Sequence, residues 1–285
     1  LEKEIVAYHP TNLVGLIGWP VEHSVSPAMH NAAFDALHLP WRYDLLPTPP
    51  DEVEARLKGL ASKGYRGVNV TVPHKQAVML YLAGMSDAAR AIGAVNTIVV
   101  QPDGLIGHNT DGDGFLAALR EGHFEPAGRR ALVLGAGGAA RAVVYGLLQA
   151  GCAIAIHNRT PKRAARLVCA LRDMGFEAAA AGALSELDLA SFDLLVNSTS
   201  VGMWPEMEGS SWPDTLPLPA KWTVFDLVYN PPETRLLARA RAAGLQAIGG
   251  LGMLVHQGAL AFEMWTGCVP PLDVMRRAAQ SALGD

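Results

Sequence analysis

The sequence predicts an α/β protein of two domains, and three observations carry that expectation. Strand-like and helix-like segments alternate as far as Asp111. A stretch bearing proline and glycine, "EPAGRR", then interrupts the pattern. After it the alternation restarts on a strand that runs through a glycine turn into an alanine-rich helix, "RALVLGAGGAARAVV". Alternation of this kind implies mostly parallel strands with helices packed on them.

Taken in order, "LVGLIGWP" reads as a strand, "VEHSVSP" as a polar turn and "AMHNAAFDALHL" as a helix, with Met29, Ala33, Phe34 and Leu37 at helical spacing. "WRYDLLPT" is the next strand. "PPDEVEARLKGLASKG" opens on prolines and acids and closes on glycine, the signals that start and stop a helix. In "VNVTVPHK" the apolar Val68, Val70 and Val72 alternate with Asn69, Thr71 and Pro73, the period of a strand with one face in a core. Pro73 lacks an amide donor, so the strand is expected to end there. Lys75 then falls just beyond a strand end, where open α/β sheets place their ligands. "QAVMLYLAG" and "SDAARAIGA" read as helical, "NTIVVQPDG" and "LIGHNTDG" as a hairpin, and "DGFLAALREGHF" as a helix leading out of the unit.

In the second half "CAIAIHNRT", "FDLLVNSTS" and "TVFDLVYN" are strands and "PKRAARLVCALRDMG" is a helix. "ETRLLARARAAG" is a helix between the last of these strands and "QAIGG". "MWPEMEGSSWPDTLPLP" is too rich in Pro, Gly and Ser to be regular and reads as a loop beside a site. "GLGMLVHQGALAFEMWTG" and "LDVMRRAAQSAL" are closing helices.

Composition narrows the function. The 285 residues are 50% hydrophobic, ample core for one large or two ordinary domains. A net charge of −4 with no Lys/Arg block argues against nucleic acid or an anionic membrane as partner. No apolar run reaches transmembrane length, and "LEKEIVAYHPTNL" carries two Glu and no signal core, so a cytoplasmic protein is expected. Cys152, Cys169 and Cys268 lack CxxC spacing, which suggests neither a disulfide framework nor a zinc site. Cys152 and Cys169 are expected to be small buried hydrophobes. The nine histidines form no HxxxH or HExxH pair, and no metal is expected.

Gly135, Gly137, Gly138 and Ala140, with Ala136 and Ala139 between them, directly follow a Val/Leu strand and open a helix. Glycine permits a tight turn and close backbone approach to a pyrophosphate, and the helix N-terminus offers it unsatisfied amides. The next strand selects the dinucleotide. An NAD site places Asp or Glu about twenty residues on to bind the ribose hydroxyls. Here "HNRTPKRA" offers Asn158, Arg159 and Thr160, with Lys162 and Arg163 one turn later. A cationic cluster in place of a carboxylate fits the additional phosphate of NADP.

Four further polar stretches fall at strand ends, turns or helix starts: "HSVSP" with Ser24 and Ser26, "GAVNTI" with Asn96, "GHNTDGDG" with Asn109, Thr110 and Asp111, and "GMLVHQGA" with Gln257. Polar groups among small and apolar neighbours must be hydrogen-bonded, to each other or to a ligand. Together with "NVTVPHK", "VLGAGGAARAV", "NSTSVGM" and "DLVYNPPETRLL", these stretches make nearly the whole chain resemble the shikimate dehydrogenase family. The resemblance implies a substrate-binding and catalytic domain over residues 1–111, an NADP-binding Rossmann domain over 112–249, and C-terminal helices over 250–285 that return to the first domain, with a cleft between the domains. It implies reversible reduction of 3-dehydroshikimate to shikimate by NADPH, in aromatic amino-acid biosynthesis. Ser24 and Ser26 would hold the substrate carboxylate with Tyr229 nearby, and Thr71, Asn96, Asp111 and Gln257 would bind its hydroxyls. Thr199, Met203, Leu227, Gly250 and Met253 would line the nicotinamide and ribose part of the cofactor site.

Hydride reduction of a ketone creates an alkoxide, so the site needs a proton donor within hydrogen-bond reach. By resemblance Lys75 is that acid/base and Asp111 its partner, whereas the adjacent His74, and likewise His256, read as structural. A quinate/shikimate dehydrogenase with relaxed NAD use is the neighbouring alternative. A catalytically silent ligand sensor is the alternative of another class, against which the retention of Lys75 and Asp111 argues. A monomer or a homodimer fits equally.

Overall fold

The computed structural model describes residues 12–284, so Leu1 to Thr11, on which the reading of the N-terminus rests, lie outside the described residues. In chain order the elements are β1 (Asn12–Gly18), α1 (Ser26–Ala36), β2 (Trp41–Pro47), α2 (Val53–Lys58), β3 (Tyr65–Val70), β4 (Gly84–Met85), α3 (Asp87–Ile92), β5 (Thr97–Gln101), β6 (Gly104–His108) and α4 (Asp111–Glu121). They continue with β7 (Arg130–Leu134), α5 (Gly138–Gln149), β8 (Ala153–His157), α6 (Pro161–Asp173), β9 (Ala178–Ala180), β10 (Leu194–Asn197), β11 (Thr223–Asp226), α7 (Arg235–Ala242), β12 (Gln246–Ile248), α8 (Leu251–Thr266) and α9 (Leu272–Leu283).

The described residues form two compact units: 12–86 with Val95–His108 and 261–284, and Asp87–Ala94 with Asn109–Leu260. The sequence reading set its bounds at residues 111 and 249, with 250–285 returning to the first domain. Helix α8 starts in the second unit and ends in the first.

In the first unit the strand order is β2-β1-β3-β5-β6-β4. β1 runs parallel to β2 and β3, and β4 to β6, while β5 is antiparallel to both β3 and β6 as the expected hairpin. Strand β3 departs from the sequence reading. It ends at Val70 and not at Pro73, because Val72 turns outward to 69% exposure and its carbonyl accepts from Trp19 N–H at 3.1 Å. Val68, Asn69 and Val70 are all buried, so the strand is covered on both faces and Asn69 is an interior polar residue. Gly67 is required there: a Cβ would lie 2.2 Å from Nε1 of Trp265, which donates to the Ile98 carbonyl at 3.1 Å.

Two expected helices are shorter. The stretch after β2 forms α2 between single 3-10 turns at Pro50–Glu52 and Ala61–Lys63, and it closes on Gly64 at φ +80. "QAVMLYLAG" forms only a 3-10 turn, Ala77–Tyr81, before β4; Leu80 is 84% exposed, so the segment has no continuous apolar face to bury.

The second unit is a parallel sheet ordered β12-β11-β10-β7-β8-β9, the doubly wound order expected of a dinucleotide-binding fold. Val133, Val143, Ile154 and Phe225 fill one face, and Leu132, Leu195, Trp222 and Leu236 the other. β9 was not expected, since its alanines carry neither a β-branched nor an alternating signal. Cys169 is a correction. It is exposed on α6, whose Ala164, Leu167, Val168 and Leu171 take the buried face, whereas Cys152 is buried as expected. The Pro- and Ser-rich stretch between β10 and β11 contains no helix or strand, yet it seats Trp212 fully buried, edge-on to Trp222 at 5.3 Å. No helix among the described residues is long and apolar enough to cross a membrane.

Candidate functional site

In the first unit the selected residues gather at the carboxyl ends of β1 and β3, which are adjacent and parallel. The two strand ends are locked together. Thr71 N–H donates to the Ile17 carbonyl at 2.8 Å, and a Cβ on Gly18 would lie 2.3 Å from Cγ2 of Thr71. After β1 the chain turns into α1, where Ser24 Oγ donates to Ser26 Oγ at 3.1 Å and accepts from Ser26 N–H at 3.2 Å. Pro27 occupies the first turn, where its missing N–H costs nothing. Two hydroxyls thus lie together at the start of an eleven-residue helix, groups able to donate to a carboxylate.

After β3, His74 is buried and its Nε2 lies 2.7 Å from the Thr48 carbonyl, so it anchors the turn, as expected of a structural histidine. Lys75 follows half-buried, and its carbonyl accepts from Val95 N–H at 2.8 Å. That bond sets Lys75 beside the entry to β5. The next residue, Asn96, is 2% exposed, and its carbonyl accepts from Val70 N–H at 2.8 Å. Thr71, Lys75 and Asn96 are therefore held by one continuous set of backbone bonds.

In the second unit Asp111 opens α4, is 4% exposed, and donates its N–H to Asn109 Oδ1 at 3.0 Å. A carboxylate in a first helical turn is favoured by the helix dipole. Asn109 in turn donates to the Ala94 carbonyl at 2.8 Å. The glycines of "DGDG" have packing reasons. A Cβ on Gly112 would lie 2.9 Å from the Ala142 carbonyl on α5, and one on Gly114 would lie 2.7 Å from the Gln257 backbone nitrogen on α8. The close crossing brings Gln257 beside the first turns of the helix that Asp111 opens; its Nε2 donates to the Leu254 carbonyl at 2.8 Å. His256 pairs with Glu121 at 3.3 Å.

The glycine turn lies at the switch point of the second sheet, between β7 and β10. Gly135 has φ +115, and a Cβ there would meet Ser198 Oγ at 2.6 Å. Gly137 is exposed, with no atom within 4 Å of the position a Cβ would take. Open space in front of the amides of α5 fits a pyrophosphate, and Ala136, Gly138 and Ala139 complete a turn without bulk. At the end of β8, Asn158 folds back on the Thr160 carbonyl at 2.9 Å. Arg159, Thr160, Lys162 and Arg163 are exposed, and none of the three cations pairs with a carboxylate among the described residues.

Of the remaining residues, Met203 is 42% exposed, Leu227 and Tyr229 are half-buried, and Met253 lies in the core with Phe115 and Phe225. Gly250 admits no side chain, since a Cβ would lie 2.1 Å from the Leu227 carbonyl. Thr199 donates its Oγ–H to Asn197 Oδ1 at 2.7 Å. The sequence reading assigned no role to the groups that hold Thr199. Asn197 Nδ2 donates to Asp226 Oδ1 at 2.8 Å, and Asp226 also accepts from Val228 N–H at 3.1 Å and from Thr234 Oγ–H at 2.7 Å. The signal was available: each is a polar residue closing an apolar strand or opening a helix, where burial demands a partner.

Burial pushes the Asp226 carboxyl up to about 6 from 3.8, against three donors that oppose the shift. The folded state therefore holds this proton more tightly than the unfolded chain. Its contribution to stability is full below about pH 4 and is lost as pH rises through 6, a loss of about 3 kcal/mol for two pKa units. Calorimetry of wild type and Asp226→Asn from pH 4 to 8 should show the advantage of wild type shrinking as pH rises; a constant difference would remove Asp226 as the source. Thr234 also caps α7, accepting from Leu237 N–H at 3.2 Å. Thr234→Val should cost about 2–4 kcal/mol, a lost cap plus a lost bond to the buried carboxyl, measured by urea unfolding at pH 7.

Three family models match parts of the chain. The family model described as shikimate dehydrogenase substrate binding domain matches residues 16–98. The model described as shikimate/quinate 5-dehydrogenase matches residues 118–203, and the shikimate 5'-dehydrogenase C-terminal domain matches residues 250–280. A shikimate dehydrogenase (NADP(+)) of Moorella thermoacetica is 50% identical, over 96% of this chain and 94% of its own. One of Methanopyrus kandleri is 49% identical over 94% of both. The crystal structure of shikimate 5-dehydrogenase from Thermus thermophilus in complex with NADP(H) and shikimate matches with a TM-score of 0.83 and 41% identity, covering 95% of this chain and 99% of that one.

Proposed function

The chain belongs to the shikimate dehydrogenase family, and on that footing we propose that it reduces 3-dehydroshikimate to shikimate reversibly with NADPH, Lys75 and Asp111 serving as the acid/base pair. NADPH supplies the hydride when bound. The glycine turn Gly135–Gly138 and the amides of α5 would hold its pyrophosphate, and Asn158, Arg159, Thr160 and Arg163 the adenosine end with its additional phosphate. Thr199, Met203, Leu227, Gly250 and Met253 would border the nicotinamide and ribose.

On the substrate, Ser24 and Ser26 take the carboxylate, with Tyr229 contributing there, and Thr71, Asn96, Asp111 and Gln257 take the hydroxyls. Lys75 donates a proton to the ketone oxygen as negative charge develops on it and removes one in the reverse direction. Asp111 would be its partner carboxylate, a charge that favours the protonated ammonium. What supports the reading most is the location of Ser24, Thr71 and Lys75 directly after two adjacent parallel strands, within the segment that resembles a substrate-binding domain. We also place the protein in the cytoplasm, where its three free thiols remain reduced, as a monomer or homodimer.

Initial rates of NADP reduction with shikimate and with quinate, repeated with NAD, test this. A high rate confined to shikimate with NADP is expected. Comparable rates with quinate or NAD would overturn the specificity, and silence with every pair would overturn the activity.

A further inference from the structure

Asn197, Asp226 and Thr234 belong to the motifs "NSTSVGM" and "DLVYNPPETRLL", and none of them has a part in the proposed reaction. All three are interior polar residues, Asn197 and Asp226 at 0% exposure and Thr234 at 2%. They lie where two loops leave the adjacent parallel strands β10 and β11. The first loop carries Thr199 and Met203, and the second carries Leu227 and Tyr229.

Backbone groups force the direction of the hydrogen bonds here. Thr199 N–H only donates, so the Asn197 atom facing it at 3.1 Å is the amide oxygen. The Val201 carbonyl only accepts, so the opposite edge of Asn197, 3.4 Å away, is the NH2. Thr199 Oγ lies 2.7 Å from that same amide oxygen, and the hydrogen between the two oxygens is that of the threonine hydroxyl. Val201 N–H in turn donates to Thr199 Oγ at 3.2 Å. The hydroxyl therefore closes the turn. The Asn197 NH2 donates onward to Asp226 Oδ1 at 2.8 Å, which also accepts from Val228 N–H at 3.1 Å, so any proton on this carboxyl sits on Oδ2. Oδ2 meets the Thr234 hydroxyl at 2.7 Å, a bond in which either group can donate. The cluster thus holds whether or not Asp226 is ionised.

Backbone bonds join the same two loops. Leu227 N–H donates to the Asn197 carbonyl at 2.9 Å, and Trp204 N–H to the Asn230 carbonyl at 2.9 Å. Gly202, at φ +88, passes beside Thr234: a Cβ on it would lie 3.7 Å from the Thr234 Cβ and 3.1 Å from the Gly209 carbonyl. Residues 198–204 and 227–234 belong to no helix or strand, so their conformation depends on such bonds.

We propose that Asp226 is a positioning residue that, through Asn197, holds the turn of Thr199 and Met203 and the loop of Leu227 and Tyr229 together as one body. This deepens the assignment of those four residues to the cofactor and the substrate, and rests on it. A carboxyl suits the centre of the junction because its two oxygens meet a side-chain amide from one loop, a backbone N–H from the other and the hydroxyl that caps α7.

The test compares Asp226→Ala, which removes the junction, with Asp226→Asn, which keeps an oxygen for Asn197 and Val228 and a polar partner for Thr234. Asp226→Ala should raise KM for NADP and for shikimate together, each about five- to tenfold, the effect of one or two lost hydrogen bonds. Asp226→Asn should return both to within about twofold of wild type. A mere loss of folded protein lowers apparent turnover and leaves KM where it was. Hydrogen exchange of the ligand-free protein reads the junction without turnover. The amides of Thr199 and Val201, neither of which bonds Asp226, should exchange at least about tenfold faster in Asp226→Ala and return in Asp226→Asn, whereas global destabilisation speeds core-strand amides such as those of β7 and leaves locally opening loop amides unchanged. Should Asp226→Ala not fold, Thr234→Val against Thr234→Ser makes the same comparison from the far end, the valine speeding the Thr199 and Val201 amides at least about threefold and the serine restoring them. Equal KM values and equal exchange at Thr199 and Val201 within either pair of variants would overturn the junction. Wild type inactive with shikimate and NADP, with the exchange difference present, would leave the junction standing and overturn only the assignment of its loops to those ligands.

Discussion

Lys75→Ala is expected to lower turnover at least about a hundredfold while the affinity for shikimate changes much less. General acid/base groups contribute about 10²–10⁴ to rate, and a hundredfold corresponds to about 2.7 kcal/mol of transition-state stabilisation. The loss falls mainly on kcat because the proton moves only as the ketone oxygen gains charge, whereas Ser24, Ser26 and the hydroxyl partners still hold the ground state. The substitution is a clean probe. The turn around Lys75 is held by His74 on the Thr48 carbonyl and by Val95 N–H on the Lys75 carbonyl, neither of which involves the lysine side chain. Steady-state rates with a parallel shikimate titration separate the two effects, and turnover within tenfold of wild type would remove Lys75 from proton transfer.

Arg159→Ala should raise KM for NADP about tenfold or more and leave KM for NAD within about twofold. Charge-assisted hydrogen bonds to phosphate contribute about 1.5–3 kcal/mol, and the phosphate that distinguishes the two cofactors is the only group the guanidinium is assigned to meet. Arg159 is exposed at the end of β8 and pairs with no carboxylate among the described residues, so its removal disturbs neither packing nor an ion pair. Raising salt should erode the NADP preference of wild type and affect the variant less, since an exposed charge is screened within about 8–10 Å. An equal loss for NADP and NAD would overturn the phosphate assignment.

Much of the fold was legible because its signals are local. The glycine turn, the Val/Leu run of β7 and the cations after β8 sit within one βαβ passage, and the doubly wound sheet follows from repeating that passage. Failures occurred where neighbours override local pattern. Val72 continued the alternation of β3 but is turned out by the geometry beyond Val70, and Asn69, on the side expected to be wet, is interior. Cys169 looked apolar in its run, yet helix α6 has only one buried face, and four other residues occupy it.

The candidate site divides along the same line. Its residue types were readable from short motifs, since each motif carries its chemistry in a few adjacent positions. Their supports were not. Tyr43 reaches Asn69 across 26 positions of sequence, Asp226 accepts from Asn197 across 29, and Gly114 is small because Gln257 passes against it. The sequence by itself determined the α/β class, the glycine turn and the cationic end of β8, because backbone freedom, side-chain charge and hydrophobic period belong to residues close together in the chain. Only the tertiary structure decided which buried polar groups satisfy one another, because an interior donor takes whatever acceptor folding brings to it, and that acceptor comes from a distant strand.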